Sequence, residues 1–120
     1  MIKRHANAIG HAAHGMFWAF RTQPNYKIHF SLILISIVVA WFLEISYAEW
    51  MAILITALMG LIIETINTSI EKMGDAIDLN YNENIKISKD VSASAMLLYS
   101  IGAIMVAGII FVPKLMALFF

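Results

Sequence analysis

The chain has 120 residues, of which 61% are hydrophobic and 13% charged, and its mean hydropathy of +0.79 lies outside the range of ordinary soluble domains. Eight basic residues balance eight acidic ones and are scattered, so there is no electrostatic footprint for nucleic acid, and the lack of cysteine excludes a disulfide framework, a thiolate nucleophile and a zinc-cysteine centre. The composition is that of a membrane protein.

The first 24 residues, including "HANAIGHAAHGMFWAFRTQP", are too polar to cross a bilayer. Ile9, Ala13, Met16, Phe17 and Phe20 recur at helical spacing, with His11, His14 and Arg21 turned elsewhere, which predicts an amphipathic helix lying in the interface. A first span is predicted over 26–44, with Lys27 and His29 near one interface and Trp41 as an aromatic anchor at the other. The apolar stretch begins only near Ile28 and no small-residue cleavage site follows it, so a secretory signal peptide is not expected.

A second span is predicted over 47–79. "SYAE", residues 46–49, has the form of a capping box, with Ser46 and Glu49 exchanging hydrogen bonds with backbone N–H groups. At about 1.5 Å per residue such a helix must project beyond the hydrocarbon at one end. The Asn-rich, charged "LNYNENIKISKD" then reads as a water-exposed connection to a third span over 85–113, which Pro113 limits or kinks. Small residues in that span, "SASA" at 92–95 and Gly102, Ala103, Ala107 and Gly108, suit close helix packing. Lys3, Arg4, Arg21 and Lys27 precede the first span, Lys72, Lys86 and Lys89 surround the second loop, and Lys114 lies opposite. The positive-inside rule therefore places the N-terminus and the second loop in the cytoplasm.

Glu64, Asn67, Glu71 and Asp75 carry the chemistry. At about 100° per residue they fall within an arc of roughly 80°, so one helix face is lined with carboxylates. A helix leaving the membrane with a wet side would present such a face. Glu64, however, directly follows apolar residues, where a carboxylate usually marks an ion or substrate path. Carboxylates one or two turns apart can also share a hard divalent cation, which suits Mg²⁺ better than zinc. Lys89 and Asp90 open the third span on the same side of the membrane; they fit a solvated helix start, or a lysine reaching phosphate oxygens beside an aspartate that orients it. His5, His11 and His14 fit interfacial histidines better than a metal site, because no carboxylate accompanies them. No glycine-rich phosphate loop and no protein-kinase motif set is present. The residues alone leave three readings: an enzyme working at the inner membrane surface, a non-catalytic ion or metal binder, and a structural membrane oligomer.

"ETINTSIEKMGD" followed by "KISKD", with "AFRTQPN" and the nearby "IH" ahead of the first span, closely resembles the bacterial diacylglycerol kinase family, whose Gram-positive branch phosphorylates undecaprenol. The resemblance covers nearly the whole chain. It implies an all-α integral membrane fold of an interfacial helix and three spans, a homotrimeric bundle with composite sites at the cytoplasmic face, and transfer of the γ-phosphoryl group of MgATP to a lipid hydroxyl. Matched residue by residue, it implies Glu64 as general base, Glu71 as ligand for the nucleotide's Mg²⁺, and Asn67, Asp75, Lys89 and Asp90 as polar contacts of the nucleotide. Arg4 aligns with a basic nucleotide contact. Two positions depart from the pattern. Gln23 stands where the family carries a metal-binding glutamate, keeping a carbonyl ligand without the charge, and His11 replaces a tyrosine-like residue near the nucleotide. After the lysine-aspartate pair, "VSASA" lies nearer the "VAAGA" style of undecaprenol kinases than the "MGSAA" style of diacylglycerol kinases, so undecaprenol is the expected acceptor and diacylglycerol the alternative.

Overall fold

In the computed structural model, residues 2–78 and 80–119 are described, with side chains from position 5 onward. They form four helices: α1 (Ile2–Thr22), α2 (Pro24–Phe42), α3 (Tyr47–Ile77) and α4 (Glu83–Phe119). No strand occurs among the described residues. The last three helices are long and apolar enough to cross a membrane.

Each boundary has a local cause. Gln23 is extended, with φ −100° and ψ 117°, and separates α1 from α2, whose first residue is Pro24. Proline is favoured there because its fixed φ suits a helix and its missing N–H has no intrahelical partner to lose. Between α2 and α3 the chain reverses through Glu44 at φ 47°, the only non-glycine residue with positive φ among those described. The Ser46–Glu49 capping box then starts α3: the Glu49 carboxylate accepts from the Ser46 backbone N–H at 2.6 Å, and the Ser46 hydroxyl accepts from the Glu49 N–H at 3.4 Å. At the head of α4, the side-chain oxygen of Asn82 accepts from the N–H groups of Asn84 and Ile85 at 3.0 and 3.3 Å, satisfying donors a helix start leaves free. α4 continues through Pro113 to Phe119, longer than the span read from the sequence. Proline inside a membrane helix is tolerated where neighbouring helices and small backbone adjustments satisfy the freed carbonyl.

α3 packs chiefly on α4, with α2 along its other flank and α1 against the start of α2. The seam of α3 runs through Ile53, Gly60, Glu64, Asn67, Glu71 and Gly74, alternating intervals of three, four and seven residues as a helix–helix contact line requires. Its character changes along its length. At one end Ile53 joins Ala40, Leu43, Ile45 and Ile110 in a buried apolar cluster. At the other the buried side chains are Glu64, Asn67, Thr68 and Ser92. Many remaining large apolar residues, such as Leu58, Leu98 and Ile109, point outward, as a bundle solvated by lipid or by further copies demands.

The seam is closed at both ends by ion pairs between α3 and α4. Glu49 meets Lys114 at 3.3 Å, and Asp75 meets Lys89 at 2.5 Å. Between them the Tyr99 hydroxyl donates to the backbone carbonyl of Thr56 at 2.9 Å. The ring lies over Gly60, where an added Cβ would sit 2.6 Å from Tyr99 Cζ, so only glycine permits this approach.

Candidate active site

Glu64 is 2% exposed, and its Oε2 has no hydrogen-bond partner among the described residues. Asn25 and His29 of α2 and Thr68 of α3 surround the carboxylate. A buried carboxylate oxygen without a donor is costly in a fold and calls for an account. Here the account is positional: Glu64 borders a cavity of about 300 Å³ together with Asn25, His29, Asn67, Glu71 and Ser100.

The elements that hold this cluster are visible in the contacts. Tyr26, 1% exposed, hydrogen-bonds through its hydroxyl to Thr65, the residue after Glu64. That contact pins the first turn of α2, carrying Asn25, to the middle of α3. Asn67 is held from two directions: the Ser92 hydroxyl donates to its Oδ1 at 2.7 Å, and its own Nδ2 donates to Glu71 Oε1 at 3.1 Å. Further along the stripe, Lys89 crosses from α4 to Asp75 because Gly74 has no side chain. An added Cβ would lie 2.9 Å from Lys89 Cε and 3.0 Å from Ile85 Cγ2. Lys72 adds a second, looser cation to Asp75 at 3.8 Å.

The residues singled out from the sequence thus divide. Glu64, Asn67 and Glu71 share one cavity, and Asp75 and Lys89 form an ion pair on the same seam about one turn beyond Glu71. Asp90 is exposed and pairs with Lys86 at 2.5 Å. His11 is exposed on α1. Gln23 lies at the α1–α2 joint, its amide donating to Thr22 Oγ1 at 3.2 Å. The side chain of Arg4 lies outside the described residues. Sequence reasoning gave no site role to Asn25, His29 or Ser92, although the first two stand one helical turn apart at the head of α2, within the "QPN" and "IH" segments that carry the resemblance.

The donor set is hard oxygen: the carboxylates of Glu64 and Glu71, one with an unpartnered oxygen, fit a magnesium ion in chemistry. Among the described residues no three acidic or histidine side chains converge on a point that could hold a metal by themselves. A cation here would need oxygens from elsewhere, as Mg²⁺ usually takes from substrate phosphates and water.

Three helices fit to span a membrane, with a buried acidic cluster set into the seam between two of them, define an integral membrane protein with a polar centre at one end of its bundle. The chain belongs to the prokaryotic diacylglycerol kinase family, a family of membrane lipid kinases: the family's model matches residues 10–111. It is 33% identical over 105 residues to a protein of Synechocystis named diacylglycerol kinase, a match covering 87% of this chain and 60% of that protein. An undecaprenol kinase of Bacillus subtilis is 27% identical over 114 residues, 95% of this chain and 93% of its own length. A diacylglycerol kinase of Pseudomonas aeruginosa is 31% identical over 94 residues, 78% of this chain and 76% of that protein.

Proposed function

We propose that this protein transfers the γ-phosphoryl group of ATP to the hydroxyl of a membrane lipid alcohol, with undecaprenol as the acceptor, at the cytoplasmic face of a bacterial membrane. The observation that carries the reading is the unpartnered oxygen of Glu64, buried at the edge of the acidic cavity. A general base must reach the proton it removes, and this oxygen is free to accept one from a lipid hydroxyl. Beside the cavity lies an apolar one of about 250 Å³, lined by Leu32, Ile33, Ile53 and Ile104 among others; His29 and Ser100 line both. A lipid chain in the apolar cavity would bring its alcohol end towards Glu64.

The remaining residues position charge. Glu71, held by Asn67, is the proposed ligand for Mg²⁺, which when bound would neutralise phosphate charge. The Lys89 ammonium, held by Asp75 over Gly74, is the cation available to phosphate oxygens. Phosphoryl transfer asks little more of a protein than positioning and electrostatic stabilisation. Gln23 and Asp90 are proposed as outer contacts of the metal and nucleotide, with Arg4 and His11 towards the nucleoside. A homotrimer would cover the exposed apolar faces and complete the site from neighbouring subunits.

Diacylglycerol is the second reading, favoured by the names of the Synechocystis and Pseudomonas relatives. The deciding experiment measures transfer from labelled ATP with Mg²⁺ to undecaprenol and to diacylglycerol in separate mixed micelles. Faster phosphorylation of undecaprenol is the expected result, and preference for diacylglycerol would assign the other branch. Folded protein that phosphorylates neither lipid would return the stripe to the ion-binding or structural readings.

A further inference from the structure

Two hydrogen bonds meet at Asn67, and together they fix which way its amide faces. The Glu71 carboxylate can only accept, so the amide nitrogen must face it, as the 3.1 Å contact records. The carbonyl end is then left in a buried position, and the only described donor on it is the Ser92 hydroxyl at 2.7 Å. A flipped amide would set a carbonyl oxygen against a carboxylate. Ser92 reaches this place from α4, two residues past the lysine-aspartate pair, and is itself buried.

We infer that Ser92 is a positioning residue of the site: by holding the Asn67 amide in one orientation it keeps the Glu71 carboxylate presented to the cavity. Without the hydroxyl, Asn67 Oδ1 is a buried acceptor lacking its donor, and the amide gains by turning towards any other one. Glu71 then loses its hydrogen bond and its fixed place. The inference rests on Glu71 being the metal ligand for its functional half and on the hydrogen-bond geometry alone for its structural half.

The test uses the full chain in detergent micelles with two readouts. The first is binding of Mn²⁺, a spectroscopic substitute for Mg²⁺, in the presence of a non-hydrolysable ATP analogue that supplies the phosphate oxygens, by electron paramagnetic resonance. The second is the side-chain ¹⁵N–H resonances of Asn67, assigned by their loss in Asn67→Ala. Losing one such hydrogen bond should weaken Mn²⁺ binding about three- to tenfold in Ser92→Ala. The Asn67 resonances should shift, far-ultraviolet circular dichroism should stay unchanged, and Ser92→Thr should restore the binding if the added methyl is accommodated. In an Asn67→Ala background Ser92→Ala should cost nothing further, because Ser92 acts through that amide. Ser92→Gly, smaller still, serves if the alanine variant does not fold. Mn²⁺ binding lowered by Glu71→Gln but untouched by Ser92→Ala would overturn the inference and leave the ligand assignment standing. Equal losses on Ser92→Ala with and without Asn67 would overturn it as well. Indifference of Mn²⁺ to Glu71→Gln would overturn the ligand assignment itself; Asn67 resonances that ignore Ser92→Ala would then overturn the structural half too.

Discussion

Glu64 and Gln23 frame what single residues can decide. Replacing Glu64 by glutamine keeps the shape and removes the basic oxygen, so turnover should fall by about a hundredfold or more, the usual scale of general-base catalysis. Nucleotide affinity, measured by equilibrium binding, should stay near its original value. Restoring the charge with Gln23→Glu should lower the Mg²⁺ concentration needed for half-maximal transfer if position 23 borders the metal; an unchanged titration would remove it from the site. The unusual setting of Glu64 was readable in the sequence because a carboxylate after fourteen uncharged residues contradicts its surroundings. Ser92 was not, since a serine among small residues of a span reads as packing, and its role depends on which amide faces it across the seam. Asp90 takes an ion-pair partner from its own helix, Lys86 at i,i+4, and its place beside the nucleotide is a proposal drawn from the resemblance.

Among the elements, α3 is the best specified by its own sequence. Its start follows from the capping box, and its seam from the spacing of Glu64, Asn67 and Glu71. Ser46→Ala should destabilise the bundle by about 1 kcal/mol, the ordinary worth of such a cap, without touching the acidic cavity. Thermal or denaturant unfolding in micelles would measure it, and activity below the midpoint should be retained. Gly74 is a different kind of seam position. A side chain there must push Lys89 Cε and Ile85 Cγ2 aside and disturb the approach of Lys89 to Asp75, so Gly74→Val should raise the Michaelis constant for ATP several-fold more than that for lipid. An equal rise in both would dissociate Lys89 from the phosphates. The ends of α2 and α4 were less legible. Proline at position 24 starts a helix and proline at position 113 does not stop one, because the outcome depends on what the neighbouring backbone can satisfy rather than on the residue alone.

Across the whole molecule, the three-span architecture was legible in hydropathy alone, whereas the pairing of α3 with α4 was not, because it is made by Tyr99 on Gly60 and by two ion pairs far apart in sequence. Gly60→Ala forces a methyl against the Tyr99 ring, which must shift from its bond to Thr56, and should destabilise the fold by about 1–3 kcal/mol. The proposed orientation is open to direct test because the chain contains no cysteine. A single cysteine at Asn84 should react with an impermeant maleimide only when the cytoplasmic face is accessible, and one at Tyr47 only from the other side. Reversed labelling would invert the topology and move the acidic cavity away from ATP.

The unpartnered oxygen of Glu64 also makes the fold a reporter of its own occupancy. A molecule that binds by offering this oxygen a hydroxyl binds the folded chain alone, and its binding energy adds to the folded state as its concentration rises above its dissociation constant. A lipid alcohol should therefore raise the unfolding temperature of the protein, while the same lipid with its hydroxyl methylated should raise it less. Glu64→Leu, which replaces a stranded acceptor by an apolar group, should melt higher than the original protein before any lipid is added and lose the difference between the two lipids. Inactive and more heat-resistant, such a variant would show that the same atom that limits this bundle's stability equips it to meet a substrate.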